Sequence, residues 1–459
     1  MPTTVDLVCI GSGPAGQRAA VQAAKLGKSV VVIERRRCLG GVCVETGTIP
    51  SKTFREAVIH ATAAPTLDRP RRDAARPTAP ELLSRVNRVI ERETDVIERQ
   101  LHRNRVDLIR GSARFHDPHT LDVETDDGPE QIVADNIVIA VGTEPAPPPG
   151  VEVDGDTVIT SDDIMRLARL PRSLTVVGAG IIGIEYASMF AALGVTVTLV
   201  DRRPRPLEFL DHEIVDELIH QMRDRNVTFR LEEAVKLLEV PNGEPRRVVT
   251  HLESGKQVVT DMAFFSVGRL GATAALNLPG AGLAADERGR IAVDAHFRTA
   301  VPHIFAVGDV IGYPSLAATS AEQGRRAACH AFGIEAGPMP KHFPVGVYAI
   351  PEISMVGATE QELTEQKVPY ETGVARYREI ARGQILRDDT GLFKMLFHRN
   401  DRRLLGVHAI GTGATELIHV GQAVLALGGG LDYFLDTVFN YPTLAECYKV
   451  AALNAANKL

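Results

Sequence analysis

Long apolar runs are missing from this sequence. None approaches the roughly 18 residues that a membrane-crossing helix needs, which argues against membrane spanning. The basic segment, apolar stretch and cleavage site of a secretory signal are also missing: the chain passes from Met1 into the strand-like run Val5-Asp6-Leu7-Val8-Cys9-Ile10. Cysteine is scarce, with five residues scattered at 9, 38, 43, 329 and 447. That odd, dispersed set is not the framework of a secreted disulfide-stabilised domain. These absences together predict a cytoplasmic protein in a reducing compartment. A surplus of positive charge is lacking too. The formal net charge of -7 gives no reason to expect nucleic acid or an anionic membrane surface as a partner, and points to small soluble substrates. The histidines, His408 and His419 among them, stand at no convincing metal-ligand spacing from cysteines or carboxylates, so no metal is expected.

What is present is ordinary globular composition, 44% apolar and 24% charged, in a chain of 459 residues. That length exceeds what one core usually supports and predicts two or three domains. One pattern occurs twice: an apolar strand, Gly-x-Gly-x-x-Gly, an alanine-rich helix, and a second apolar strand ending in an acid. The first copy runs from Asp6 through Gly11, Gly13 and Gly16, with a helix to about Leu26, to Ser29–Glu34. The second runs from Leu174 through Gly178, Gly180 and Gly183, with a helix to about Leu193, to Val195–Asp201. The first glycine permits the tight turn, the second lets backbone approach a pyrophosphate, and the third allows close helix–strand packing. The acid follows the first glycine by 34 − 11 = 23 and 201 − 178 = 23 positions, near the spacing of about 20 at which a carboxylate meets a ribose hydroxyl. A lone turn of this kind is weak evidence. Two complete copies predict two dinucleotide-binding α/β domains of the Rossmann type.

Between the copies, Pro65–Pro80 is rich in Pro, Arg and Ala and is expected as a surface excursion, followed by an amphipathic helix around Glu81–Asn104. Prolines at 145–149 and glycines at 268–271 mark the crossings into and out of the second nucleotide domain. Beyond about Glu335 the pattern changes to short strands and helices, with strands expected at Leu392–Phe397 and Leu404–Ile410. This predicts a separate α+β domain.

Gly40-Gly41-Val42-Cys43-Val44-Glu45-Thr46-Gly47-Thr48-Ile49-Pro50-Ser51-Lys52 resembles the active-site helix of the pyridine nucleotide-disulfide oxidoreductases, and the resemblance spans essentially the whole chain. The run Thr299–Asp309, ending in Gly308-Asp309, resembles that family's second FAD motif, in which the aspartate holds the ribityl chain. Ala140–Pro145, with Gly142, is similar to the strand end that returns from the FAD domain. The resemblance implies a discontinuous FAD-binding domain (1–147 and 269–335), an NAD(P)-binding domain (148–268) and a dimerisation domain (336–459), hence a homodimer. It assigns Gly11, Gly13, Gly16, Glu34, Gly41, Lys52, Gly142, Gly308, Asp309 and Ala317 to FAD. It assigns Gly178, Gly180, Gly183, Asp201, Arg202, Arg203 and Gly268 to NAD(P).

Two departures from the family pattern occur together. The family disulfide needs cysteines separated by four residues; Cys43 is present, but position 48 is Thr48. The family's C-terminal acid–base histidine falls in Phe439-Asn440-Tyr441-Pro442-Thr443-Leu444-Ala445-Glu446, where Tyr441 takes its place and Glu446 remains. Cys38 is also separated from Cys43 by four residues, but in the family register it precedes the Gly40-Gly41 turn and is read as a packed or reduced thiol. The paired departure, with Val307–Ala317 and Phe439–Thr443, is similar to the soluble, Si-specific transhydrogenase branch of the family. That likeness implies ping-pong hydride exchange, through FAD, between NADP(H) and NAD(H) as substrates. A diaphorase that reduces quinones or dyes shares the same cofactor motifs, as does a dihydrolipoamide-dehydrogenase-like flavoprotein, although Thr48 and Tyr441 oppose the latter. A flavin-binding sensor or assembly subunit is a reading of another class.

By the same resemblance Lys52 lies near flavin N5 and Glu185 pairs with it, a cation that would stabilise negative charge on the flavin. Cys43 and Thr48 either shape the pocket or tune the ring. Tyr441, donated by a second subunit, either fills the histidine's space or acts in its stead. Asp201 would accept from the 2′-hydroxyl of NAD, while Arg202, Arg203 and Arg205 could neutralise the 2′-phosphate of NADP or form a solvated basic loop beside an NAD-selective site.

Overall fold

The computed structural model describes residues 3–62, 77–243 and 245–459. Unbroken apolar runs decide the first layer. β1 (Thr3–Ile10), α1 (Pro14–Lys25) and β2 (Val30–Glu34) form a right-sized strand–helix–strand unit, and α2 (Gly41–Glu45), α3 (Thr48–Thr62) and α4 (Ala79–Arg103) follow. β3 (Asp107–Phe115), β4 (Thr120–Thr125) and β5 (Gly128–Ile139) complete the excursion and return to the sheet. β1 lies parallel between β2 and β5, and strand Ile304–Ala306 adds parallel to β5, so a segment distant in sequence closes this sheet. Val8, Ile10, Val31, Ile33, Ile137 and Ile139 face one core. Their neighbours Leu7, Cys9, Val30, Val32 and Val138 face the other, against Ala19 and Ala23 of α1. Both faces are covered, which is why these strands are continuously apolar.

β6 (Thr143–Pro145) pairs antiparallel with Arg269–Gly271, so the two crossings between the nucleotide-binding units run side by side. Within the second unit, β7 (Val158–Ile159), β8 (Ser173–Val177) and β9 (Thr196–Asp201) join Met262–Phe265 and Val227–Leu231 in a five-stranded parallel sheet. α5 (Ile181–Ala192) follows the glycine turn and α6 (His212–Asp224) follows β9. Phe54 of α3 packs between Tyr186 and Phe190 of α5, with ring centroids 6.4 and 6.3 Å apart, tying α3 of the first unit to the second unit.

The C-terminal segment forms a five-stranded antiparallel sheet in which the two expected strands, Leu392–His398 and Leu404–Ile410, are central neighbours. No helix among the described residues is long and apolar enough to cross a membrane. Residues 65–76 of the expected Pro65–Pro80 excursion lie outside the described residues. The helix after them begins at Ala79, two residues before the expected Glu81, and ends at Arg103. Thr78 and Glu81 form a reciprocal capping box, and Pro80 sits in the first turn, where its missing N–H costs nothing.

Candidate active site

Both glycine turns are built as cradles. Gly11 and Gly178 have φ of +105° and +102°, the left-handed region that glycine alone enters freely. A Cβ on Gly16 would stand 1.9 Å from the Gly11 carbonyl oxygen, and one on Gly183 would stand 1.8 Å from that of Gly178. Nothing lies within 4 Å of a Cβ placed on Gly13 or Gly180, so each middle glycine faces open space. α1 and α5 begin there with no side-chain cap and no acid in the first turn, leaving their amide ends available to an anion. These features fit the pyrophosphate of a dinucleotide in each unit.

A cleft in the first unit is lined by Gly11, Gly13, Glu34, Gly41, Gly142, Gly308, Asp309 and Ala317, and also by Cys43 and Thr48. Elements far apart in sequence thus converge there. Glu34, 4% exposed, does more than end its strand. Its Oε2 accepts from Ser12 N (2.9 Å) and Oγ (2.5 Å), and Oε1 accepts from Arg36 N (2.8 Å). The carboxylate therefore fixes the glycine turn from beneath. Burial raises the Asp309 carboxyl above its ordinary range, against the opposing charge of Arg269 and a bond from Ser320. The fit to FAD rests on this cradle and on the open space before Gly13.

Lys52 Nζ donates to both carboxylate oxygens of Glu185, at 2.9 and 2.8 Å. Glu185 is buried, and its Oε1 also accepts from Tyr348 N at 2.8 Å. The Lys52 ammonium stands 4.7 Å from the centroid of the Tyr348 ring. Three units thus meet at one ammonium: α3 supplies it, α5 supplies its counter-ion, and the C-terminal domain supplies the ring. Tyr348 was not anticipated, because no spacing or motif connects position 348 to position 52. Cys43 and Thr48 both line the cleft. Burial raises the Cys43 thiol, and although Thr48 and Lys52 pull the other way, the net direction is up. At neutral pH Cys43 is a thiol, not a nucleophilic thiolate. Cys38 is likewise raised by burial, and its Sγ lies 3.1 Å from Thr94 Oγ1.

Tyr441 and Glu446 do not line this cleft. Tyr441 is 67% exposed, beside the helix Glu446–Ala456, and one buried oxygen of Glu446 has no hydrogen-bond partner among the described residues. In the second unit Asp201 and Arg203 form an ion pair at 2.8 Å, Arg205 pairs with Asp216, and Arg202 is exposed with no partner among the described residues. Gly268, at φ +116°, lies on the crossing, where its carbonyl accepts from Ala146 N (3.1 Å).

Residues 5–324 match the family model described as pyridine nucleotide-disulphide oxidoreductase, and residues 343–452 match that family's dimerisation domain. The chain belongs to the pyridine nucleotide-disulphide oxidoreductases. This is an FAD-binding oxidoreductase family. Among its members, soluble pyridine nucleotide transhydrogenases from Mycobacterium tuberculosis and Mycobacterium bovis are 54% identical over 459 residues, 99% of this chain and 97% of theirs. The protein of the same name from a Marinomonas species is 44% identical over 461 residues, 99% of this chain and 98% of its own. Solved structures of the family superpose closely. The HOCl-induced flavoprotein disulfide reductase RclA from Escherichia coli has a TM-score of 0.88 at 28% identity, covering 98% of this chain and 99% of that one. LpdA from Mycobacterium tuberculosis has 0.89 at 26% identity, with the same coverages.

Proposed function

We propose that this chain is a soluble pyridine nucleotide transhydrogenase that exchanges reducing equivalents between the NADP(H) and NAD(H) pools. The observation that carries the reading is the pairing of Cys43 with Thr48 on the wall of one cleft: where the family's dithiol would sit, a raised, protonated thiol is accompanied by a hydroxyl, which has no redox chemistry. The close relatives carrying that name support it over nearly the full length.

When bound, the flavin supplies a ring that accepts a hydride from one nicotinamide and returns it to another. The chain's own residues orient and charge-balance that exchange. The N-termini of α1 and α5 receive the two pyrophosphates, with Gly11, Gly13 and Gly16 on one side and Gly178, Gly180 and Gly183 on the other. Glu34 and Asp309 hold the FAD polyols, with Gly41, Gly142, Gly308 and Ala317 shaping the same cleft. Lys52, ion-paired with Glu185, places a cation beside the ring. Cys43 and Thr48 close the site without passing electrons onward, so a second nucleotide must collect them and the kinetics are ping-pong. Asp201, Arg202, Arg203 and Gly268 serve the nicotinamide nucleotide.

We read the chain as a homodimer in the cytoplasm, with Si-face specificity and with Tyr441 reaching the partner's site. The domain limits are 1–147 with 269–335, 148–268, and 336–459. The matched dimerisation domain and the 67% exposure of Tyr441 support the dimer. The test is anaerobic transfer from NADPH to thio-NAD+, with lipoamide and a quinone as parallel acceptors. Rapid reduction of thio-NAD+ with inert lipoamide is the expected result. Turnover with only the quinone or lipoamide would make the protein a diaphorase or a disulfide reductase instead.

A further inference from the structure

Asp201 is 7% exposed, and its carboxylate is fully taken. Oδ2 accepts from Ala179 N, inside the glycine turn, at 2.5 Å and from Arg203 Nη2 at 2.8 Å. Oδ1 accepts from Arg203 N at 2.8 Å and from Arg203 Nε at 2.9 Å. A carboxylate offers about four lone-pair positions, and four donors meet them here. A ribose hydroxyl can donate to Asp201 only if one of these donors leaves. Two are main-chain amides fixed by the turn and by the strand end. The other two belong to a single guanidinium on a flexible stem, with the Arg203 side chain 35% exposed. The same guanidinium is a two-pronged donor suited to a phosphate. Of its neighbours, Arg205 is already bound to Asp216 and to the His212 carbonyl.

We infer that Arg203 is a movable specificity element, turning between Asp201 and the adenosine 2′-substituent of the incoming nucleotide, so that one site accepts both NAD(H) and NADP(H). With a 2′-hydroxyl, the ribose replaces the guanidinium on Asp201. With a 2′-phosphate, the guanidinium turns to the phosphate and stands between two negative charges, while the Ala179 and Arg203 amides keep hold of the carboxylate. This extends the transhydrogenase reading and rests on it, because it requires both nucleotides to enter the second unit.

The test is calorimetric titration of the oxidised, FAD-loaded protein with NADP+ and, separately, NAD+, so that no hydride is exchanged. Arg203→Gln is expected to raise the Kd for NADP+ roughly tenfold to a hundredfold, the loss of a charged hydrogen-bonded contact, without raising the Kd for NAD+. Arg203→Lys should restore part of the NADP+ affinity. Asp201→Asn, which retains oxygen and shape, is expected to do the reverse: weaker NAD+, with NADP+ unchanged or tighter. If Arg203→Gln weakens both nucleotides alike, or neither, the movable element is wrong while the two-nucleotide site stands. If the unaltered protein binds only one of the two, the transhydrogenase reading itself fails.

Discussion

The Lys52 ammonium, the Cys43 thiol and the Thr48 hydroxyl show how much chemistry a single substitution redirects. In a disulfide reductase the position of Thr48 would carry sulfur; here it carries a hydroxyl, and burial keeps the Cys43 thiol protonated. Restoring sulfur is a direct check of the geometry. Positions 43 and 48 line the same cleft, so the oxidised Thr48→Cys protein is expected to titrate two fewer thiols, after denaturation, than the same protein reduced. The unaltered protein should give equal counts. Equal counts in the variant would show that positions 43 and 48 do not meet in that cleft. Cys43 and Thr48 were legible from the motif alone. Tyr348, which stacks on Lys52 and orients Glu185 through its amide, was not. Its partners lie 296 and 163 positions away in sequence (348 − 52 and 348 − 185), and only the docking of the C-terminal domain brings them together.

At the scale of elements, the two strand–turn–helix units carry the same device, and its three glycines do different work. Gly16 and Gly13 separate the roles. A Cβ at Gly16 would lie 1.9 Å from backbone oxygen, and no rotation relieves that, whereas Gly13 has open space and an ordinary φ of -62°. Gly13→Ala is therefore expected to fold with an unchanged circular dichroism spectrum but to retain FAD poorly, because its methyl occupies the approach of the pyrophosphate. Gly16→Ala is expected to lose both folded yield and FAD. Tight FAD retention by Gly13→Ala would remove the first turn from the FAD site. The same spacing made both turns legible in the sequence, together with their terminal acids. The internal engagement of those acids was not legible. Glu34 clamps Ser12, and Asp201 clamps Ala179, so each carboxylate, expected to meet a ribose hydroxyl, also stabilises the turn before it.

Across the whole molecule, one buried cluster joins the second nucleotide-binding unit to the C-terminal domain. Lys394, with 0% of its side chain exposed, donates to Asp211 (2.9 Å) and Glu360 and lies 3.0 Å from Glu213. These three carboxylates could have suggested a metal site, but the ammonium already fills their centre. Burial works to lower the Lys394 ammonium, yet the bonds to Glu360 and Asp211 push it up to about 12. Lys394→Met would leave the buried Asp211 carboxylate without its cation and is expected to cost about 3–5 kcal/mol, read as a lower Tm at pH 7. No change in Tm would mean the cluster does not couple the domains. His408, paired with Lys394 across adjacent strands, is held below its ordinary value, first by burial. The unfolded chain binds a proton on it below about pH 6.5 while the folded chain does not. Stability from this residue is therefore complete above that pH and falls as the pH drops towards the folded value. In His408→Gln the loss of Tm between pH 7 and 5.5 is expected to be shallower than in the unaltered protein; an identical slope would discount His408.

The sequence by itself determined the two nucleotide cradles, the identity of the residues flanking the missing disulfide, and the change of architecture after Glu335. These depend on local backbone geometry, on spacing and on side-chain period, which are written in short stretches of chain. Only the tertiary structure decided what each charged group faces. Ile304–Ala306 closes the first sheet, Tyr348 stacks on Lys52, Lys394 gathers carboxylates from two domains, and Arg203 saturates Asp201. Most of these contacts join residues far apart in sequence, and even the short Asp201–Arg203 pair depends on a rotamer chosen by its surroundings. Burial and long-range charge are properties of the packed molecule, and no spacing along the chain encodes them.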